Sequence, residues 1–175
     1  MGIRSILVPV TAEPVHLPAV RLAAWLAVRL GARLRALHIR PDPRSSIPFI
    51  GEGLTAEVIH DLCQAGEREG KAAALAARAA FDEVVEEEGL TEATDATGPG
   101  FVFEEEVGFF ADRLGRVARL ADLTVVPQPG GASSEDSNEF LNEVLFGSGR
   151  PLLMAPSELG RTSMENVLVA WNGRA

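Results

Sequence analysis

The chain has 175 residues, 46% of them hydrophobic, with a mean hydropathy of +0.10, a formal net charge of -9 and an isoelectric point near 4.8. That is enough chain and apolar material for one domain with a core. No apolar run approaches the ~20 residues of a membrane-spanning helix, and the acidic balance runs against the clustered Lys and Arg that nucleic acid requires. Neither a membrane nor a nucleic acid is therefore an expected partner. The N-terminus lacks a charged-then-apolar signal pattern, which leaves the cytoplasm as the default location.

In chain order, Ser5 to Val10 is a β-branched run that breaks at Thr11-Ala12-Glu13-Pro14, the pattern of a strand and its turn. Pro14 and Pro18 suit a first helical turn, Val20, Ala23, Ala24, Ala27 and Leu30 recur at helical spacing, and Gly31 is a stop. Arg33 to Ile39 reads as a second strand, followed from Pro41 to Gly53 by a Pro/Gly/Ser-rich loop. Thr55 can cap a long helix that runs through the Ala-rich block Ala72 to Ala80 and fades at Gly89. Thr91 to Gly100 is an irregular insertion, and Phe101 to Val107 a third strand. Phe110, Leu114, Val117 and Ala121 mark a third helix, and Leu123 to Val126 a fourth strand stopped at Pro127-Gln128-Pro129-Gly130-Gly131. Asp136 to Phe146 is a fourth helix expected to bury Phe140, Leu141, Val144 and Leu145. Pro151 to Ala155 is a fifth strand. Pro156 to Glu165 is polar and irregular, a linker. The opening strand is then written almost a second time, Val167-Leu168-Val169-Ala170-Trp171, before Asn172-Gly173.

Strands alternating with helices predict an α/β fold, an open five-stranded parallel sheet with helices on both faces and right-handed crossovers. In such a doubly wound sheet a ligand crevice lies beyond the carboxyl ends of the strands where the strand order reverses. For the order 3-2-1-4-5 the candidates are Pro9, Val10 and Thr11 after strand one, with Pro127 and Gln128 after strand four. Ile39 flanks them at the end of strand two.

Ile6-Leu7-Val8-Pro9-Val10 opening a helix, Leu37-His38-Ile39 closing strand two, Ala121 to Val126 as strand four and Gly149 to Pro156 around the last strand together resemble universal stress proteins. The resemblance in element order spans Ile3 to Pro156 and implies the same five-stranded sheet. It divides the chain into a domain over 1–156 and a segment over 157–175 comprising a linker and the first strand of a second such domain, as in tandem members.

The resemblance also implies a test for ATP. Members that bind it carry an Asp after strand one and, after strand four, Gly, two residues, Gly, nine residues, then Gly-Ser or Gly-Thr. Counting back from Gly147-Ser148 places Ser137 and Ser134 where glycines belong, while Gly130 and Gly131 fall at the wrong spacing. Only Gly149 and Arg150 separate Ser148 from Pro151, so no helix fits there and Gly147-Ser148-Gly149 reads as a helix C-terminal cap. Thr11 stands near the expected Asp, and Asn172 replaces its counterpart in the second copy. ATP remains possible as a ligand, but the family's motif for it is broken and no cofactor is expected.

No P-loop, dinucleotide fingerprint or Gly-x-Ser-x-Gly elbow is present. His16, His38 and His60 are isolated, with no neighbour at metal-ligand spacing except Asp61 beside His60, and Cys63 reads as a structural thiol. The acidic run Asp82, Glu83, Glu86 to Glu88 and Glu92 reads as a solvated helix end. No catalytic set converges and no metal site is expected. The expected role is that of a non-enzymatic domain acting in a stress response by pairing, as a homodimer or with a second like domain, through the apolar segment Val167, Leu168, Val169 and Trp171. The alternative is a module that binds a small molecule or nucleotide such as ATP or AMP in the crevice at strands one and four.

Overall fold

A computed structural model describes residues 2–46, 55–93, 99–130, 134–158 and Leu168. Its framework is a five-stranded sheet in the order β3-β2-β1-β4-β5, the order expected from the sequence. The strands are β1 (Ser5–Pro9), β2 (Arg33–Arg40), β3 (Gly100–Val107), β4 (Leu123–Pro127) and β5 (Leu152–Ala155), and every pairing is parallel. Central β1 holds Ile6, Leu7 and Val8 with no solvent exposure, since both its faces are covered. β1 pairs with β4 over Ile6 and Leu7 only. Two residues further on, Pro9 has no N–H with which to extend a ladder.

Among the described residues four α-helices connect the strands: α1 (Leu17–Leu30), α2 (Ala56–Glu87), α3 (Phe110–Ala118) and α4 (Ser134–Gly147). Side chains alternate across each strand, so Ile6, Val8 and Val10 pack with α1 and α2 in one cluster. Leu7, Leu37, Ile39 and Val126 pack with α3 and α4 in the other. The caps are those the sequence suggests: Thr55 Oγ1 accepts from the Val58 N–H at 3.4 Å, and α1 gives way to Gly31. Between β2 and α2, Pro43–Ser46 forms a 3-10 turn. None of the described helices is long and apolar enough to cross a membrane.

Two details differ from the sequence reading. Leu145 is 52% exposed rather than buried. The inward stripe of α4 runs through Ser137, Phe140, Leu141 and Val144, and one further residue turns Leu145 about 100° away. α3 stops at Ala118, short of Ala121, which is nevertheless buried just beyond the helix. The repeated strand, with Val167, Val169 and Trp171, lies outside the described residues. Leu168 within it is 95% exposed.

Asp122 ties the fourth strand's entry to the N-terminus. One carboxylate oxygen, Oδ2, accepts the N–H groups of Arg4 at 2.9 Å and Ser5 at 3.1 Å. The Arg4 backbone bond is the largest cause that holds this carboxyl below its ordinary range; burial opposes it, while the Ser5 N–H and the charges of Arg150 and Arg4 add to it. A depressed folded-state pKa stabilises the fold above the unfolded carboxyl pKa of about 3.9 and ceases to do so as pH falls through the folded value. Asp122→Asn should therefore be less stable than the parent at pH 7, with the gap closing in acid. Urea midpoints measured from pH 7 to pH 2.5 check this, and a gap independent of pH contradicts it.

Candidate functional site

The strands' carboxyl ends open onto a cleft of about 400 Å³. Val10 and Thr11 reach it from the end of β1, and Ile39 and Pro41 from the end of β2. Ser45 of the 3-10 turn forms one side. Gly108, Phe109 and Phe110, where β3 passes into α3, form another, and Glu139 and Phe140 of α4 close it. Of the residues singled out from sequence, Val10, Thr11 and Ile39 come together here. Pro9 and Pro127 are buried in their strands, and Gln128 is exposed with its N–H donated to the Ala155 carbonyl at 2.9 Å. These three do not line the cleft.

The cleft's aromatic wall is ordered by stacking. The Phe110 and Phe140 rings lie 4.7 Å apart at 25°, and the His16 ring lies 5.1 Å from Phe140, tilted by 50°. Phe140 is 2% exposed, whereas Phe109 on the rim is 59% exposed. Gly108 makes the turn into α3 with φ at +150°, and its N–H is donated to the Arg40 carbonyl. A Cβ there would lie 2.8 Å from Arg113 Nε, which that flexible side chain can yield, so it is the positive φ that favours glycine.

Behind the wall runs a polar relay. Thr11 Oγ1 and His16 Nδ1 are 2.6 Å apart, and His16 Nε2 lies 3.2 Å from Ser137 Oγ. Thr11 Oγ1 also accepts the Glu13 N–H at 3.2 Å. His16 has no solvent exposure and Ser137 has 1%. In either neutral tautomer one ring nitrogen donates and the other accepts, and both hydroxyls can play either part. The relay therefore fastens the loop after β1 to α4 without requiring a charge.

His38 is also buried, with Nδ1 2.9 Å from the Val10 carbonyl, and exposed His60 pairs with Gln64 on its own helix. Cys63 is a half-buried free thiol. Among the described residues no group of three or more His, Cys, Asp or Glu could hold a metal ion. Gly147-Ser148-Gly149 does form a helix cap: Ser148 Oγ donates to the Val144 carbonyl at 2.6 Å and accepts the Arg150 N–H at 3.1 Å. Gly149 turns with φ at +62°, and β5 follows at Leu152. The pair that resembled a phosphate-binding Gly-Ser thus lies at the C-terminal end of α4, where a helix dipole repels anions.

Sequence reasoning passed over Ser45, Phe109, Glu139, His16 and Ser137 as site residues. Phe109 carried a usable signal: any residue in the turn after a parallel strand lies at the same rim as Thr11.

A family model described as the universal stress protein family matches residues 2–148. The universal stress protein UspA from Lactobacillus plantarum is similar in structure, with a TM-score of 0.58, 19% identity and coverage of 89% of this chain and 99% of that one. A universal stress protein from Archaeoglobus fulgidus in complex with dAMP gives a TM-score of 0.54 at 14% identity, covering 88% and 98%. A universal stress protein in complex with cAMP gives 0.50 at 19% identity, covering 90% and 100%. No curated protein matches the chain in sequence.

Proposed function

The chain belongs to the universal stress protein family, and we propose that it acts there as a non-enzymatic binding domain whose cleft beside the ends of β1 and β2 receives a small organic molecule. The observation that carries this reading is the cleft itself. It has a ligand's volume, an apolar floor of Val10, Ile39 and Phe140, and a few polar groups at Thr11, Ser45 and Glu139. The structures with dAMP and cAMP make adenine-bearing molecules sensible probes. The broken glycine spacing and the carboxylate of Glu139 argue that any nucleotide is held by its base and sugar rather than by its phosphates. Calorimetric titration with adenosine, AMP and ATP, with magnesium present, should give adenosine the tightest binding and ATP the weakest. ATP binding at micromolar concentration, tighter than adenosine, overturns this order.

A second reading, pairing in a stress response, is favoured by the sheet's far edge. Among the described residues β5 is hydrogen-bonded on one side only, Met154 on it is 49% exposed, and nearby in sequence Phe146 is 82% exposed. An open apolar edge is suited to adding a strand or packing against a second copy. Light scattering on the intact chain should show a dimer that Met154→Lys weakens. A monomer at all concentrations excludes pairing with a second copy.

A further inference from the structure

Resting on the reading of the cleft as a ligand site, we propose that its ligand is a neutral hydroxyl compound whose O–H groups donate to Thr11 and Ser45. Both residues line the cleft and both are half-buried. Ser45 Oγ donates its hydrogen to the Asp42 carbonyl at 2.7 Å, and a carbonyl can only accept. What Ser45 leaves for the cleft is therefore lone pairs. Thr11 reaches the same state through His16. Donors of the O–H type span roughly 2.5–3.0 Å to their acceptors, and N–H donors roughly 2.7–3.2 Å. The 2.6 Å contact between Thr11 Oγ1 and His16 Nδ1 falls in the first range alone, so Thr11 donates. The 3.2 Å contact between His16 Nε2 and Ser137 Oγ falls in the second alone, so Nε2 donates. The two lengths independently give one neutral tautomer, with Nδ1 bare and Nε2 protonated. Thr11 Oγ1 also accepts the Glu13 N–H, which leaves it one lone pair and no hydrogen.

The rest of the lining fits a hydroxyl better than any other group. Val10 and Gly108 spend their N–H groups on the Leu37 and Arg40 carbonyls, at 2.9 and 3.0 Å. α3 opens at Phe110 without a side-chain cap, so N–H groups of its first turn remain to donate. An ether or carbonyl could meet α3 but not Thr11 or Ser45, and an ammonium the reverse. A hydroxyl donates and accepts, and so suits both. Asp112 in the first turn of α3 weighs against an anion there. Glu139 is engaged within the chain, and nothing is asked of it. Val10, Ile39 and the exposed rim residue Phe109 supply apolar contact for the carbons that carry the hydroxyls. His16 is thus a positioning residue, which sets the polarity of Thr11 without touching the ligand.

The test titrates adenosine, and its analogue with fluorine in place of every sugar hydroxyl, into the isotopically labelled intact chain and follows both by NMR. Fluorine keeps the size and polarity of a hydroxyl but cannot donate. Adenosine should shift Thr11, Ser45 and Phe109 resonances and bind about tenfold more tightly than the analogue, the worth of two hydrogen bonds. Ser45→Ala and Thr11→Val should each weaken adenosine about threefold and leave the analogue unchanged, with thermal melts confirming that both are folded. Imidazole nitrogen shifts in the parent chain should show His16 protonated at Nε2 and bare at Nδ1, whichever variants fold. Equal affinity for adenosine and the analogue, variants that weaken both alike, or a His16 protonated at Nδ1 overturns the donor assignment. If the two compounds still shift the cleft resonances in that case, the cleft remains a ligand site. If neither shifts them, both readings fall.

Discussion

Replacing Phe140 with alanine should cost about 3–5 kcal/mol of folding stability, the usual loss for a fully packed aromatic ring. The ring is 2% exposed, stacks on Phe110 at 4.7 Å, and meets the His16 ring at 5.1 Å. It belongs to the core cluster under α3 and α4 and at the same time forms the cleft floor. Its removal therefore joins a new cavity to an existing opening. Water can enter there, so the loss should fall nearer 3 than 5 kcal/mol, and binding of adenosine or any cleft probe should fall with it. Urea unfolding at unchanged m-value measures the first effect and titration the second. A loss below about 1 kcal/mol would show that the ring is not packed as described.

His16→Ala is expected to lose about 3 kcal/mol, by a different route. It deletes a buried ring and removes one hydrogen bond from each of two hydroxyls, Thr11 Oγ1 and Ser137 Oγ. A double-mutant cycle with Ser137→Ala isolates the link between the loop and α4. The coupling should be about 1 kcal/mol, because a hydrogen bond between buried neutral groups is worth roughly that much. Strict additivity would mean that the 3.2 Å contact contributes nothing. Since Thr11 lines the cleft, His16→Ala should also loosen the cleft's wall. Thr11 resonances should broaden, a change that simple loss of core volume would not single out.

The two predictions bear on a site only part of which is legible along the chain. Val10, Thr11 and Ile39 could be named because a parallel sheet with reversed strand order puts its crevice beyond the strand ends. The same rule offered the β4 side, at Pro127 and Gln128, on equal terms. The cleft described above lies toward β2 and β3, where the start of α3 and the second turn of α4 close over it. His16 looked like an isolated histidine because its partner Ser137 is 121 residues away in sequence. Leu145 looked buried because spacing alone does not set how wide an inward stripe is; the rotation of α4 on the sheet sets it.

What the sequence determined by itself is what short-range physics controls. Strand and helix order follows from apolar periodicity, the capping at Thr55 and at Gly147-Ser148-Gly149 from side chains within a few residues of one another, and the parallel sheet from the alternation of elements. That the glycine spacing after the fourth strand departs from the one the resemblance implies was equally visible, as a matter of counting. Tertiary structure decided which strand ends share a cleft, which phenylalanine stays at its rim, and that Glu139 is among the residues that line it. Those depend on strand register and on where α3 and α4 cross the sheet, and both are fixed by packing between residues far apart in the chain.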